Sequence, residues 1–301
     1  MEQIITQTTE HEDLLTPDFL RKIERMSLVA RRMFPGRMRG ERRSTKRGAS
    51  VEFADYRNYV MGDDFRRVDW NVYARLERLF LKLFIEEEDL SVHFLLDASE
   101  SMKFGQPPKL LQAKRICAAL AYAALSNHER VQIVCACNGT SAALRPMRGK
   151  HRASEMLEWL SGIEGGKEAS IGGLAKRFAL ETRRPGLAVV ISDFFDPERE
   201  SGIMALLSRR FEVVAIQVLD DEELRPSLVG DLRLVDSETG EAKEVTIGPT
   251  LLRRYDHAMS EFCNSLEQFC RGRGANYLRA ANSEPFEDLV LSYMRRRGIL
   301  G

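Results

Sequence analysis

The sequence Val92-His93-Phe94-Leu95-Leu96-Asp97-Ala98-Ser99-Glu100-Ser101 is the most informative stretch for the fold class. Its first half is a short apolar run, as expected for a strand that is buried on both faces of a sheet. The run ends at Asp97, and two serines follow at alternating positions. A second all-apolar run, residues 187–191, leads to Asp193. We therefore predict two parallel strands whose carboxyl ends bring polar side chains to the same edge of one sheet.

Strands and helices alternate along the rest of the chain. Further strands are predicted at 131–137, 141–146, 212–219 and 276–279, and helices at about 17–34, 110–124, 152–160, 171–181, 199–209, 252–269 and 286–296. Strands that alternate with helices of ten or more residues are typical of an α/β fold. The predicted fold class is thus α/β with a doubly wound, largely parallel, Rossmann-like sheet.

Three segments are expected along the chain. Residues 1–35 are predicted to form a polar tail and an N-terminal helix, and residues 36–90 a separate basic segment. Residues 91–301 are predicted to form the α/β domain, with a small β-hairpin insertion near 231–248. The turn Asp236-Ser237-Glu238-Thr239-Gly240 between two apolar runs predicts the hairpin.

Composition and charge exclude several classes of protein. Lys plus Arg and Asp plus Glu both number 45, which argues against a globally basic nucleic-acid binder. Residues 21–47 nevertheless hold eleven Lys and Arg against two acids. A nucleic acid or an acidic partner that binds the basic 36–48 segment is therefore an alternative.

The chain is expected to be cytoplasmic. No apolar run reaches the roughly 18 residues that span a bilayer. The polar, acidic N-terminus lacks the pattern of a signal peptide. The five cysteines form no CxxC pair, which predicts reduced and mostly buried thiols.

Asp97, Ser99 and Ser101 are the candidate metal ligands. An acidic residue and two hydroxyls at alternating positions can converge on one hard cation, for which Mg²⁺ is the first choice and Mn²⁺ the alternative. We expect the serines to bind directly and Asp97 to hold a water. With few direct carboxylates the cation stays under-neutralised, so it attracts a carboxylate of a client protein.

Two further residues are candidates for the same site. Asp193 follows the second apolar strand, and Ser170 lies in a loop that glycines bracket on both sides. Each has an ordinary structural alternative: an Asp at a strand end is commonly a helix cap, and Ser170 can N-cap a helix that begins at Ile171. The joint arrangement with Asp97 favours the site.

The strand with its DxSxS turn, the hydroxyl loop and the later strand-end Asp resemble a von Willebrand factor A domain with its metal-ion-dependent adhesion site. The resemblance covers about Val92 to Leu219 and implies that Asp97, Ser99 and Ser101 bind the metal, with Asp193 as the distal acid. The family's hydroxyl loop usually has a threonine after a glycine pair. Here the loop reads Gly165-Gly166-Lys167-Glu168-Ala169-Ser170, so the resemblance assigns Ser170 to the metal, with Glu168 as the alternative.

A second resemblance comes from the preceding segment. Gly62-Asp63-Asp64-Phe65-Arg66-Arg67-Val68-Asp69-Trp70, running on to Arg75, resembles the signature of domain of unknown function 58. Asp63, Arg66, Asp69 and Arg75 offer ion pairs, and Trp70 is a large apolar anchor. We interpret the segment either as a buried structural clasp against the α/β domain or as a partner-binding face. Members of this family are linked with MoxR-type AAA+ ATPases, so the resemblance implies an adaptor or chaperone-like role beside such an ATPase.

No pattern of a known catalytic site occurs in the sequence. GxSxG, HExxH, Walker A and GxGxxG motifs are all missing from it. A haloacid-dehalogenase-like phosphatase needs a second Asp two residues after the first, where this chain has Ser99. We therefore expect a binding protein and not an enzyme, with a magnesium-dependent phosphohydrolase as the remaining catalytic alternative.

Overall fold

The computed structural model describes residues 14–30, 51–86, 90–137, 139–167, 169–235 and 242–293. The chain divides into two compact units, residues 39–89 and a larger unit made of residues 1–38 and 90–301. The N-terminal helix, which the sequence places in a segment of its own, thus belongs to the larger unit. Its Phe19 meets Phe286 edge-on, with 5.0 Å between the ring centroids.

The elements alternate along the larger unit as the sequence predicts. The helices are α1 (Pro17–Ala30), α3 (Lys109–Ser126), α4 (Ala153–Ser161), α5 (Ile171–Glu181), α6 (Arg199–Ser208), α7 (Asp221–Leu224) and α8 (Pro249–Gly272). The strands are β3 (Ser91–Asp97), β4 (Arg130–Cys137), β5 (Thr140–Arg148), β6 (Leu187–Ser192), β7 (Glu212–Leu219), β8 (Gly230–Val235), β9 (Ala242–Ile247) and β10 (Asn276–Ala281).

Six of these strands form the central sheet, in the order β10-β7-β6-β3-β4-β5. All neighbours in it are parallel except β5, which runs antiparallel to β4. The prediction of a doubly wound, largely parallel sheet is confirmed. The hairpin insertion is also confirmed, as an antiparallel pair of β8 and β9, while its predicted turn 236–240 lies outside the described residues.

Both faces of the sheet are buried because helices cover them. Alternate residues of each strand point to opposite faces and so enter different layers of the core. On β3, Phe94 and Leu96 join the core under α1, α3 and α4, whereas Leu95 joins the core under α5, α6 and α8. Every residue of β3 and of β6 is buried. The five cysteines are free thiols, and four of them are buried, as expected.

The smaller unit contains β1 (Val51–Asn58), α2 (Trp70–Leu76) and β2 (Phe80–Glu86), and its two strands pair antiparallel. These three elements were missed in the sequence, where the charged residues of the segment obscure the alternation. The last helix, predicted over 286–296, is helical in its described part, with a short α-helical turn at Phe286–Asp288 and a π-helical turn at Leu289–Tyr293, while residues 294–296 lie outside the described residues. Residues 31–50, which include the basic 36–48 segment, lie outside the described residues.

Candidate metal centre

The register of two parallel strands brings Asp97 and Asp193 to the same edge. Leu96 on β3 pairs with Ile191 on β6, so Asp97 lies beside Ser192, and Asp193 comes directly after the strand. Ser192 Oγ donates a hydrogen bond of 2.6 Å to Asp97 Oδ2. Both carboxylates thus stand at the carboxyl ends of neighbouring strands, where doubly wound sheets gather their ligands.

The two serines connect the carboxylates. Ser101 Oγ donates to Asp193 Oδ2 over 2.7 Å, and it lies 3.0 Å from Ser99 Oγ. Because Ser101 gives its only proton to Asp193, the proton between the two serines belongs to Ser99. Asp97 Oδ1 in turn accepts the backbone N–H of Ser99 over 2.9 Å. Asp97, Ser99, Ser101 and Asp193 therefore form one connected group, called the hydroxyl–carboxylate cluster below.

The backbone after β6 holds Asp193 in place. Phe194 is buried and has φ = 60°, a left-handed conformation that is unfavourable for a bulky residue. This bend lets the N–H of Phe195 reach Asp193 Oδ1 over 3.1 Å, while Gln217 Nε2 donates to the carbonyl of Asp193 over 2.9 Å. Asp193 is therefore fixed by its neighbours and does not cap α6, the alternative that its position at a strand end allowed.

Lys109 and Glu223 also belong to this edge, and the sequence analysis missed both. Lys109 Nζ donates to Asp193 Oδ2 over 2.8 Å and to Glu223 Oε1 over 2.5 Å, and its side chain is 0% exposed. Two signals were available in the sequence. A lysine in the first turn of a helix opposes the helix dipole, and the acidic run Asp220-Asp221-Glu222-Glu223 follows a third parallel strand.

Asp97 is buried at this edge of the sheet. Only 3% of its surface is exposed. Burial, followed by the repulsion of the Asp193 carboxylate, raises the pKa of Asp97 from 3.8 to about 7. The hydrogen bonds from Ser192 and Ser99 oppose that rise. A strongly shifted carboxyl beside a second carboxylate is typical of a functional site.

Ser170 does not join the cluster. Its Oγ accepts the N–H of Gly173 over 2.9 Å and donates to Asp196 Oδ2 over 2.8 Å, so it N-caps α5. The hydrogen bonds described for Ser170 reach none of the four cluster residues. The ordinary structural alternative is therefore the one observed for Ser170, and Glu168 lies outside the described residues. The loop itself lies beside the cluster, because Gly166 N donates to the carbonyl of Ala98 over 2.8 Å.

The donor atoms of the cluster fit a hard cation. Among the described residues, no three His, Cys, Asp or Glu side chains are grouped so as to hold a metal ion. A metal here would therefore need the serine hydroxyls as well as the carboxylates. Both serine protons point along the chain towards Asp193, which leaves oxygen lone pairs for a cation. Hydroxyl and carboxylate oxygens are the donors that Mg²⁺ prefers.

The smaller unit places its candidate residues in different roles. Asp69 is buried, N-caps α2 through Asn71 N and Val72 N, and accepts the hydroxyl of Tyr56 over 2.9 Å. Asp63 accepts from Arg57 over 2.8 Å. Arg66 and Arg75 are exposed, and neither forms an ion pair with another described residue. Asp69 is therefore structural, whereas the two arginines lie on the exposed surface of this unit.

Trp70 is 57% exposed. Its ring meets Tyr73 edge-on at 6.1 Å, and Tyr73 is also exposed. No residue of α2 is buried. Exposed Trp, Tyr and Arg side chains are the types enriched at the centres of protein interfaces. Trp70 and Tyr73 are therefore candidates for contact with a protein partner.

Replacing Trp70 with alanine is accordingly expected to lower the free energy of unfolding by less than about 1 kcal/mol, as exposed substitutions usually do. Leu81, which is 4% exposed on the neighbouring strand, is the matched control. Leu81→Ala should cost about 2–5 kcal/mol. Urea unfolding followed by circular dichroism measures both changes. Equal losses for the two variants would show that Trp70 is as important for stability as the buried Leu81, as the clasp interpretation requires.

The fold and this edge define an α/β domain with a largely parallel sheet that has a hydroxyl–carboxylate cluster at the carboxyl ends of its strands. Residues 55–262 match the family described as "Protein of unknown function DUF58", so the chain belongs to that family. The resemblance of the sequence to domain of unknown function 58 is confirmed.

Several known proteins are similar to the chain. An uncharacterized protein of Mycobacterium tuberculosis (strain ATCC 25618 / H37Rv) is 28% identical over 300 residues, which cover 96% of this chain and 93% of that protein. Similar solved structures include BatB from Bacteroides thetaiotaomicron (18% identity, 70% of this chain, 98% of that chain, TM-score 0.40). The SpRpn10 VWA domain is also similar (11% identity, 67% of this chain, 94% of that chain, TM-score 0.39).

No helix in the described part of the chain combines the length and the apolar character that crossing a lipid bilayer requires.

Proposed function

We propose that the chain is a divalent-metal-dependent protein-binding module that acts as an adaptor or chaperone-like partner of a MoxR-type AAA+ ATPase. The hydroxyl–carboxylate cluster is the observation on which this proposal depends. It joins two strand ends, two hydroxyls and two buried carboxylates in one hydrogen-bonded group. Its hydroxyl and carboxylate oxygens are the donors that a hard cation prefers, which supports metal-dependent binding.

Ser99 and Ser101 would bind the metal directly. Asp97 and Asp193 would accept hydrogen bonds from the serine hydroxyls or the waters that coordinate it. Magnesium bound there supplies a Lewis-acidic centre that accepts a further oxygen ligand. The residues of the chain orient the donors: Ser192 and the N–H of Ser99 fix Asp97, and Phe195 N and Lys109 fix Asp193. A client or partner protein that offers an Asp or Glu carboxylate would complete the coordination.

Removing the two hydroxyls is expected to abolish the response to metal. Magnesium or manganese at millimolar concentration should raise the melting temperature of the unchanged chain, because a ligand that binds only the folded state stabilises it. The double variant Ser99→Ala/Ser101→Ala should melt at the same temperature with metal and with chelator. Ser208→Ala is the matched control, since its hydroxyl bonds a helix carbonyl on an exposed surface away from the cluster.

An affinity pull-down tests the partner. The chain should retain a MoxR-type ATPase in magnesium and lose it in chelator, and the Ser99→Ala/Ser101→Ala variant should lose it in both. Retention of that ATPase in chelator would show that the metal has no role in binding it. Melts that are identical with and without metal would remove the metal from the proposal altogether. The interaction would then have to be sought on the exposed face around Trp70 and Arg75.

A further inference from the structure

We propose that Lys109 is the resident cation of the cluster and sets how tightly the cluster binds a divalent metal. This inference rests on the metal-binding function proposed above and adds a residue that controls it. Lys109 is fully buried, with its ammonium 2.8 Å from Asp193 Oδ2 and 2.5 Å from Glu223 Oε1. It is thus a positive charge already in place on one of the two carboxylates of the cluster.

The ammonium and a metal would compete for the same carboxylate. Asp193 Oδ2 accepts from both Lys109 and Ser101, so the oxygen that faces the hydroxyls is the one that Lys109 neutralises. A divalent cation beside Ser101 would stand within a few ångströms of the ammonium. Repulsion between like charges at such a distance is strong in a buried site, where water and salt screen it weakly.

A purely structural role does not account well for this lysine. A buried ion pair is often no more stabilising than apolar residues of similar volume. Lys109 also stands in the first turn of α3, where its charge opposes the helix dipole. Its ring contact is Phe195, whose centroid is 5.2 Å from Nζ and which follows Asp193 along the chain. The surroundings of Lys109 therefore belong to the site and not only to the core.

Glu223 moderates the effect of Lys109. Its Oε1 accepts from the ammonium, while its Oε2 accepts the N–H of Asp220 over 2.9 Å in the capping box of α7. The ammonium is consequently shared between Asp193 and Glu223. Removing the charge of Glu223 would leave the ammonium paired with Asp193. Removing Lys109 would free the carboxylates of Asp193 and Glu223 from the ammonium, which would make them more attractive to a metal.

The test measures the dissociation constant for Mn²⁺ by electron paramagnetic resonance, and for Mg²⁺ by calorimetry, with the full chain and three variants. Lys109→Met should bind metal at least about tenfold more tightly, because one buried like charge is removed. Glu223→Gln should bind several-fold more weakly. Lys103→Met is the matched control. Lys103 pairs with Glu100 over 2.7 Å in the turn Glu100–Lys103, which contains Ser101, but its side chain is 47% exposed. This control should change the affinity little.

The possible outcomes separate this inference from the proposed function. Affinity that is equal or weaker in Lys109→Met, with measurable binding to the unchanged chain, overturns the role of Lys109. Binding to Lys109→Met but not to the unchanged chain supports the inference and refutes a metal-dependent function. Absence of binding to every variant overturns both. If Lys109→Met does not fold, Glu223→Gln decides alone: weaker binding supports the inference, and unchanged or tighter binding overturns it.

Discussion

Replacing Lys109 with methionine is expected to lower the free energy of unfolding of the larger unit by about 3–5 kcal/mol in the absence of metal, which is the usual cost of removing one partner of a buried ion pair. The Lys109 side chain is 0% exposed and that of Asp193 is 2% exposed. Without the ammonium, the buried carboxylate of Asp193 and the half-buried carboxylate of Glu223 lose the positive charge that they share. Methionine keeps most of the volume of the lysine stem, so little of the loss comes from a cavity.

Urea unfolding followed by tryptophan fluorescence measures this loss. The chain has two tryptophans, and a Trp70→Phe background leaves Trp159 of α4 as the reporter of the larger unit. Lys103→Met is again the control, because surface ion pairs contribute about 0–1 kcal/mol. A loss for Lys109→Met no larger than that for Lys103→Met would show that the buried charges are compensated by another route.

Replacing Asp97 with asparagine is expected to change how stability depends on pH. The folded pKa of Asp97 is about 7, above its ordinary value of 3.8. The protonated carboxyl of Asp97 therefore contributes fully to the free energy of unfolding below pH 3.8, and this contribution is lost as the pH rises through about 7. A rise of this size corresponds to on the order of 4 kcal/mol. The asparagine does not ionise, so the stability of Asp97→Asn relative to the unchanged chain should rise between pH 4 and pH 8. This gain is reduced by about 1 kcal/mol, because the asparagine loses one hydrogen bond.

Urea unfolding at pH 5 and at pH 8 in the presence of chelator measures the change. Ser192→Ala should act in the opposite direction, because its hydroxyl donates to Asp97 and stabilises the ionised form. That variant should lose more stability at pH 8 than at pH 5. If the stability of Asp97→Asn runs parallel to that of the unchanged chain across this range, the carboxyl of Asp97 does not titrate as its burial implies.

The main features of the larger unit could be predicted from the sequence because they depend on local periodicity. The apolar run 92–96 and the residues on one face of 110–124 are short-range patterns, and the structure contains β3 and α3 at those places. The edge position of Asp97 and Asp193 also followed from strand direction alone. The small unit was harder to predict, since the pairing of β1 with β2 joins residues separated by α2 and depends on no local signal.

The α/β class and the positions of Asp97, Ser99, Ser101 and Asp193 could be predicted from the amino-acid sequence, because they follow from residue type, local spacing and strand direction, and the family followed from a resemblance of residues 62–75. The charges that surround the cluster depend on tertiary packing. Lys109 and Glu223 are 114 residues apart and meet because α3 and α7 follow the carboxyl ends of different strands of one sheet. Packing within the larger unit also pairs Ser170 with Asp196 and buries Asp97. Long-range packing sets burial and charge contacts, and no spacing along the chain encodes them.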